Sequence, residues 1–357
     1  MSPLPIPESP DAITADWLTA ALRETGTIRA AAIESFTVEA LGGRPGLIGS
    51  LLRIRPRYDH LEPGAPMSFV AKFPPSGDGW VRDLSPLGLT EVRTYRELTD
   101  PAVLPAPAVH YSGLDPDSGR CVLLLEDMGD YRVVQQMAGC TPGQALLAVR
   151  GIAGFHAAWW DDTRLQDHDW LEALGSSYVG NCFQCWLGEY SGEWPDPVSD
   201  FAPWLLKHYD RLRALLSTPP RTIVHGDFHS QNIFFGAHPG QRELALIDFQ
   251  MVHLGRGAAD IARFIATSLA PDLRRDIEMD LLKEYHSILE AGGVGNYDFD
   301  QCLHDFRVAL LWNLASPLVL HIMRIVITGG EWPARLPMLD RCMLAVRDWD
   351  SEDLFHG

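Results

Sequence analysis

The chain predicts an α+β protein of two lobes: an amino-terminal lobe built on an antiparallel sheet over residues 1–127, and a larger, mainly helical lobe over 128–357. Three observations carry this. Strand-like runs broken by Gly and Pro crowd the first third of the chain, helical periodicity dominates after residue 141, and 357 residues exceed what one core usually holds.

Ile13, Trp17, Leu18, Ala21 and Leu22 fall at helical spacing over 11–24, with Asp11 as the expected cap. Strands follow at 35–41, 50–55 and 67–73, each a short apolar or alternating run. A helix over 89–98 precedes the strand Cys121–Leu125, which stops at Glu126-Asp127-Met128-Gly129-Asp130, the expected lobe boundary. Beyond it, Thr141-Pro142 has good cap chemistry for a helix to Trp160. Further helices fit 203–216, 259–269, 271–291, 299–328 with a break near Pro317, and 334–348, with a small β insertion among them.

A formal charge of −18 lacks the clustered Lys and Arg that a nucleic-acid backbone or an anionic membrane requires, so neither is an expected partner. The start, Met1-Ser-Pro-Leu-Pro-Ile-Pro, has no basic region or apolar stretch of a secretion signal, and a cytoplasmic protein is expected. Val308 to Met323 is the most apolar stretch, but Asn313, Pro317 and His321 interrupt it. It is shorter than the ~20 residues of a membrane helix, so a buried helix or helix pair is expected. The six cysteines are scattered as in a reduced protein, and Cys182-Phe-Gln-Cys185 has no second pair or His set to make a metal site.

The segment Val224-His225-Gly226-Asp227-Phe228-His229-Ser230-Gln231-Asn232, followed by Leu246-Ile247-Asp248-Phe249-Gln250, carries the chemistry. Asp227, in a polar turn after an apolar run, is the candidate catalytic base. Asn232 is close enough for one tight loop to aim both side chains at the same space, and its amide oxygen suits a hard cation. Asp248, ending an apolar run, would be a buried charge in need of a partner, and a divalent ion supplies one. A carboxylate that accepts an alcohol proton, with an amide and a carboxylate oxygen for magnesium, is the set that phosphoryl transfer from a metal-bound nucleotide needs.

The form His-Gly-Asp-x-His-x-x-Asn, the Asp-Phe-Gln at 248–250 and Leu123-Leu-Leu-Glu-Asp-Met128 together resemble the aminoglycoside phosphotransferase and choline kinase superfamily, and within it the ecdysteroid kinase-like branch. The resemblance runs in motif order from about residue 35 to 345. It implies a bilobal protein-kinase-like fold with ATP (or GTP) and Mg2+ as cofactors. Lys72 in Phe69-Val-Ala-Lys72 matches the lysine that holds the α and β phosphates. Glu91, preferred to Glu97 because Tyr95 follows it by four, matches that lysine's partner. By spacing the loop Gly42–Ser50 is either an ordinary hairpin turn or, as its place between the first two strands implies under the resemblance, a cover for the phosphates through backbone N–H groups, with Gly46, Gly49 and Ser50 nearest. The turn with Glu126 and Met128 would read the base through its backbone, and Asp260, His225 and His156 would brace the catalytic loop.

The expected activity is that of a small-molecule kinase, acting on an alcohol as an aminoglycoside, choline or ecdysteroid kinase does. Trp159, Trp160, Trp186, Trp194, Trp204 and Trp312 either line the acceptor site or pack in the core, and Asp161 and Asp162 either bind an amine or end a helix. The alternative is a catalytically silent nucleotide-binding or interaction protein of the same fold. A protein kinase is disfavoured, because the Gly-x-Gly-x-x-Gly loop and an Ala-Pro-Glu segment after Asp248 are both absent. The acceptor and the oligomeric state are not legible in the chain.

Overall fold

A computed structural model describes residues 4–46, 49–74, 85–100, 103–115, 118–172, 198–318 and 336–355. The chain forms two compact units. The first comprises Met1–Tyr131 together with Leu246–Met251, and the second comprises Arg132–Ala245 and Val252–Gly357. Eight α-helices and ten strands lie among the described residues.

The first unit is built on a five-stranded antiparallel sheet in the order β1-β2-β3-β5-β4. Its strands are β1 (Ile33–Gly46), β2 (Gly49–Tyr58), β3 (Phe69–Phe73), β4 (Val109–Asp115) and β5 (Arg120–Glu126). Helix α1 (Ala15–Glu24) places Trp17, Leu18, Ala21 and Leu22 in a core with Ile54, Phe69, Ala71, Phe73, Val122 and Leu124. Strand side chains alternate between faces. Phe69, Ala71 and Phe73 therefore point to the α1 side, and Lys72 to the other, where α2 (Ser85–Glu97) contributes Glu91, Val92 and Tyr95. Covered on both faces, β5 is buried from Cys121 to Leu125, which explains why its sequence is continuously apolar rather than alternating.

Several elements depart from expectation. Pro10–Ala12 forms a separate 3-10 turn, so α1 is capped by Thr14, whose Oγ1 accepts from Trp17 N at 3.1 Å, and not by Asp11. Helix α2 begins four residues before Leu89, so Glu91 lies inside it rather than at its opening, and Thr90 is an internal residue whose hydroxyl donates to Pro86 O. Strand β4 is an element the sequence reading does not contain.

The second unit is mainly helical: α3 (Pro142–Ala158), α4 (Val198–Ser217), α5 (Ala258–Ser268), α6 (Pro271–Ala291), α7 (Phe299–Asn313) and α8 (Pro337–Asp348). Short strands β6 (Arg132–Val133), β7 (Thr222–Val224), β8 (Ile233–Phe235), β9 (Leu244–Leu246) and β10 (His253–Gly255) form two small sheets, β6-β8-β9 and β10-β7. Every residue of α5 is buried, which makes it the central helix of this unit. In the apolar stretch after Val308, Asn313 is satisfied internally, its Nδ2 donating to Ala259 O and Ala309 O at 3.0 and 2.9 Å. No helix among the described residues is long and apolar enough to cross a membrane.

Helix α3 starts with a reciprocal capping box. Thr141 Oγ1 accepts from Gln144 N at 3.3 Å, and Thr141 N donates to Gln144 Oε1 at 3.0 Å. Thr141→Ala removes the cap but leaves the Thr141 N–H bond, so we expect a loss of about 1 kcal/mol, read as a lower urea midpoint at unchanged slope.

Candidate active site

In the first unit, Lys72 holds two carboxylates. Its Nζ donates to Glu91 Oε1 at 2.7 Å and to Asp248 Oδ1 at 2.9 Å. The three side chains are 11%, 3% and 24% exposed. Register explains the first contact, since β3 points Lys72 at α2. Asp248 arrives on Leu246–Met251, which is fastened to the same unit by Leu246 N donating to Pro105 O at 2.7 Å, by Phe249 edge-on to Tyr95, and by Gln250 Nε2 donating to Glu91 Oε2 at 3.3 Å. Asp248 is therefore not an unpaired buried charge, since Lys72 is its partner. It sits at φ +67°, a left-handed conformation that only Gly, Asn and Asp adopt at low cost, so the fold holds this carboxylate in an uncommon backbone state.

The two acids hold the Lys72 ammonium above its ordinary range despite burial. Burial pushes Glu91 up, with the Asp248 carboxylate adding to the push and Lys72 opposing it. Gln250 was not foreseen as part of this group. Only its place after Asp248-Phe249 marks it, and its bond to Glu91 depends on tertiary structure.

The Gly-rich segment closes the β1–β2 hairpin, with Gly46 paired to Gly49; Leu47 and Ile48 lie outside the described residues. Gly49 has φ +109°, and a Cβ there would stand 2.1 Å from Phe73 O, so only glycine fits beside the strand that carries Lys72. Ser50 pairs with Phe73 across β2 and β3. At the far end of β5, Glu126 N donates to Ala108 O at 2.8 Å, and its Oε2 accepts from Ala108 N at 3.0 Å. Met128 is buried and its carbonyl accepts from Tyr131 N. Asp127 is held by Arg53 through Nε and Nη2 at 2.7 and 3.1 Å, a bidentate pair that stiffens this turn.

In the second unit the turn after β7 carries Asp227, with Asn232 ending a 3-10 turn (Ser230–Asn232) that His229 caps. Asn232 Nδ2 donates to Asp227 O at 2.9 Å and to Asp227 Oδ2 at 3.1 Å. His229 Nε2 lies 3.3 Å from the same oxygen, and Arg263 Nη2 bonds Oδ1. Burial raises the Asp227 carboxyl, but Arg263 and then His229 outweigh it and hold the group well below the usual carboxylate range. With its nitrogen engaged, Asn232 has its amide oxygen left for another donor or a cation.

The loop is braced from beneath. Asp260 accepts from His225 N at 2.7 Å and from Gly226 N at 2.9 Å, while His156 joins Asp260 at 3.2 Å and Tyr285 Oη at 3.0 Å. Asp260 lies inside the first turn of α5 and does not cap it. Gly257 is packed against this brace, and a Cβ there would fall 2.4 Å from Tyr285 Oη and 2.6 Å from His156 Nδ1. Both are fully buried, so Gly257→Ala is expected to cost ~1–3 kcal/mol by overpacking, measured by chemical denaturation.

The described tryptophans pack against other rings: Trp160 on Tyr297, Trp204 on Phe201 and Phe355, Trp312 on Tyr209, with Trp159 under the Arg164 guanidinium. Asp161 accepts from Arg221 N, and Asp162 caps a 3-10 turn and pairs with Arg164, so both serve the turn after α3. Trp186, Trp194 and the pair Cys182 and Cys185 lie outside the described residues. Among the described residues, no group of three or more His, Cys, Asp or Glu is arranged to hold a metal.

Residues 177–292, less than half of the chain, match the ecdysteroid kinase-like family. An uncharacterized protein of Synechocystis sp. is 39% identical over 108 residues, which are 26% of this chain and 29% of that protein's length. Among solved structures, one from Ralstonia eutropha assigned as an aminoglycoside phosphotransferase aligns with a TM-score of 0.55 at 19% identity, over 94% of this chain and 97% of its own. The fold is the kinase-like one. Choline kinase from Cryptosporidium parvum shares it at a TM-score of 0.55 and 11% identity, over 90% and 91% of the two chains. So does the GDP complex of aminoglycoside 2'-phosphotransferase-IIIa, at 0.52 and 13%, over 96% and 100%. In this kinase-like chain the sheet unit carries Lys72, Glu91 and Asp248, and the helical unit carries Asp227 and Asn232.

Proposed function

We propose that the chain is a phosphotransferase that moves the γ-phosphate of a magnesium-bound nucleoside triphosphate, ATP or GTP, to a hydroxyl of a small molecule. The observation that carries this reading is the paired Lys72–Glu91 and Lys72–Asp248 contact on a kinase-like sheet, in a chain whose second unit presents Asp227 with Asn232 on one short loop. A silent relative has no need to retain all five groups.

Each group has a role that its surroundings support. Lys72, charged and aimed by Glu91, holds phosphate oxygens. Asp248 and the Asn232 amide oxygen are hard donors of the kind magnesium takes and would hold the ion, which would supply charge neutralisation at the phosphates. Asp227, ionised and restrained on both oxygens, orients the acceptor hydroxyl and takes its proton as the phosphoryl group moves. The low basicity of Asp227 suits positioning more than early deprotonation, consistent with a loose transition state in which the hydroxyl is released of its proton late.

The acceptor belongs to the class of alcohols that related kinases use, among them aminoglycosides, amino alcohols and ecdysteroid-like sterols. ATP and GTP with magnesium, offered with a panel of aminoglycosides, macrolides, amino alcohols, sugars and sterols, should give a product heavier by one phosphate in mass spectra. Nucleotide binding with no product from any alcohol would favour the silent alternative.

A further inference from the structure

Three residues on α5 address four positions of the Asp227 loop, and a fourth ties the helix to itself. Asp260 takes the N–H groups of His225 and Gly226, Arg263 bonds the Asp227 carboxylate, and Ser268 Oγ accepts from Ser230 N at 2.9 Å, while Thr267 Oγ1 donates back to Arg263 O at 2.7 Å. Positions three apart on a helix share a face. A negative and a positive side chain one turn apart thus meet, in order, the donors and then the acceptor of the same loop.

Arg263 is an odd choice for stability alone. It is 5% exposed, and its Nε is buried without a hydrogen-bond partner. A buried ion pair gives little net stability over apolar packing, and an unfilled donor subtracts from it. What the contact does accomplish is a division of labour on Asp227. Arg263 holds Oδ1, while Asn232 and His229 hold Oδ2. A carboxylate gripped on both oxygens cannot turn about its terminal torsion, which is otherwise broad.

We propose that Arg263 is a positioning residue, fixing the orientation of the Asp227 carboxylate so that one oxygen stays presented to the acceptor hydroxyl, with α5 as the template of the loop. The inference rests on the phosphotransferase reading for its kinetic consequence, and on the Asp227 geometry alone for its structural one.

The test is a double-mutant cycle on the full chain, with the acceptor that the panel yields. Arg263→Gln is expected to lower kcat about 10–100-fold, the scale of an ångström-size misplacement, with the KM for ATP within about twofold. In an Asp227→Asn background the same substitution is expected to change kcat by less than about twofold, because its target is gone. A purely structural role would lower kcat by the same factor in both backgrounds, and that result, or an unchanged kcat in the single variant, overturns the proposal. Should Arg263→Gln fail to fold, Arg263→Lys, which keeps the charge on a shorter reach, should show a smaller loss with the same collapse in the Asp227→Asn background. If the native chain transfers no phosphate to any alcohol, the phosphotransferase reading falls. The positioning claim is then decided by a crystal structure of the Arg263 variant that folds: a carboxylate rotated away from Asn232 and His229 supports it, and an unmoved one overturns it.

Discussion

Asp227→Asn is expected to lower kcat on the order of 10²–10⁴-fold while ATP still binds, the range typical of losing a positioned general base. The amide is nearly the same size, so the loop keeps its shape, but it can neither accept the hydroxyl proton nor neutralise Arg263, whose side chain is only 7% exposed. Some stability is lost with that counter-charge, and calorimetric ATP binding serves as the control that the site is intact. Unaltered turnover would remove Asp227 from the mechanism. The same surroundings set the pH behaviour. Because Arg263 and His229 overcome the effect of burial and keep Asp227 well below its unfolded value of ~3.9, its stabilising contribution is present above that value and fades only as the pH falls toward the folded one. If the proposed transfer is its activity, the native protein should therefore show no acid limb from this group in kcat across the ordinary carboxylate range.

Lys72→Met should abolish turnover and also destabilise the protein by about 3 kcal/mol, because it strands Glu91, nearly fully buried, and Asp248, partly solvated, beside each other. Glu91 retains the Gln250 amide, which donates to its Oε2 at 3.3 Å. The loss should depend on pH in a stated direction. Burial already raises Glu91, and removing Lys72 takes away the opposing pull, so the folded value climbs further above the unfolded ~4.3. A group raised in this way favours folding below its unfolded value and costs stability as the pH rises through the folded one. Unfolding at pH 5 and pH 8 should show the larger deficit at pH 8, and Lys72→Met combined with Glu91→Gln should recover part of it. A deficit equal at both pH values would show that the carboxylates are not forced together.

Much of this was legible in the chain because it is local. Asp227 and Asn232 share a loop, Lys72 follows from strand alternation in β3, and Glu91 lies on the helix after it, where its Oε1 accepts from Lys72 Nζ at 2.7 Å. The start of α2 was missed because Ser85-Pro86-Leu87-Gly88 reads as a turn, although proline is tolerated in a first helical turn. Strands of two or three residues such as β6 to β10 are too short for alternation to register. Arg263 and Gln250 were invisible for another reason. Their contacts join residues 36 and 159 positions apart, and no local pattern distinguishes a helix arginine bound for solvent from one bound for a carboxylate.

The return of Leu246–Met251 to the first unit governs how this protein is made. Ribosomes deliver the sheet strands and α2 early, yet the peptide that supplies Asp248 to Lys72, Phe249 to Tyr95 and Gln250 to Glu91 emerges only after β7 and β8 have been synthesised. Until then Lys72 and Glu91 wait with half their partners. A nascent chain that has reached only Tyr131 lacks the ring that packs edge-on against Tyr95 and the carboxylate that meets Lys72, so the first unit is completed only once most of the second has been synthesised.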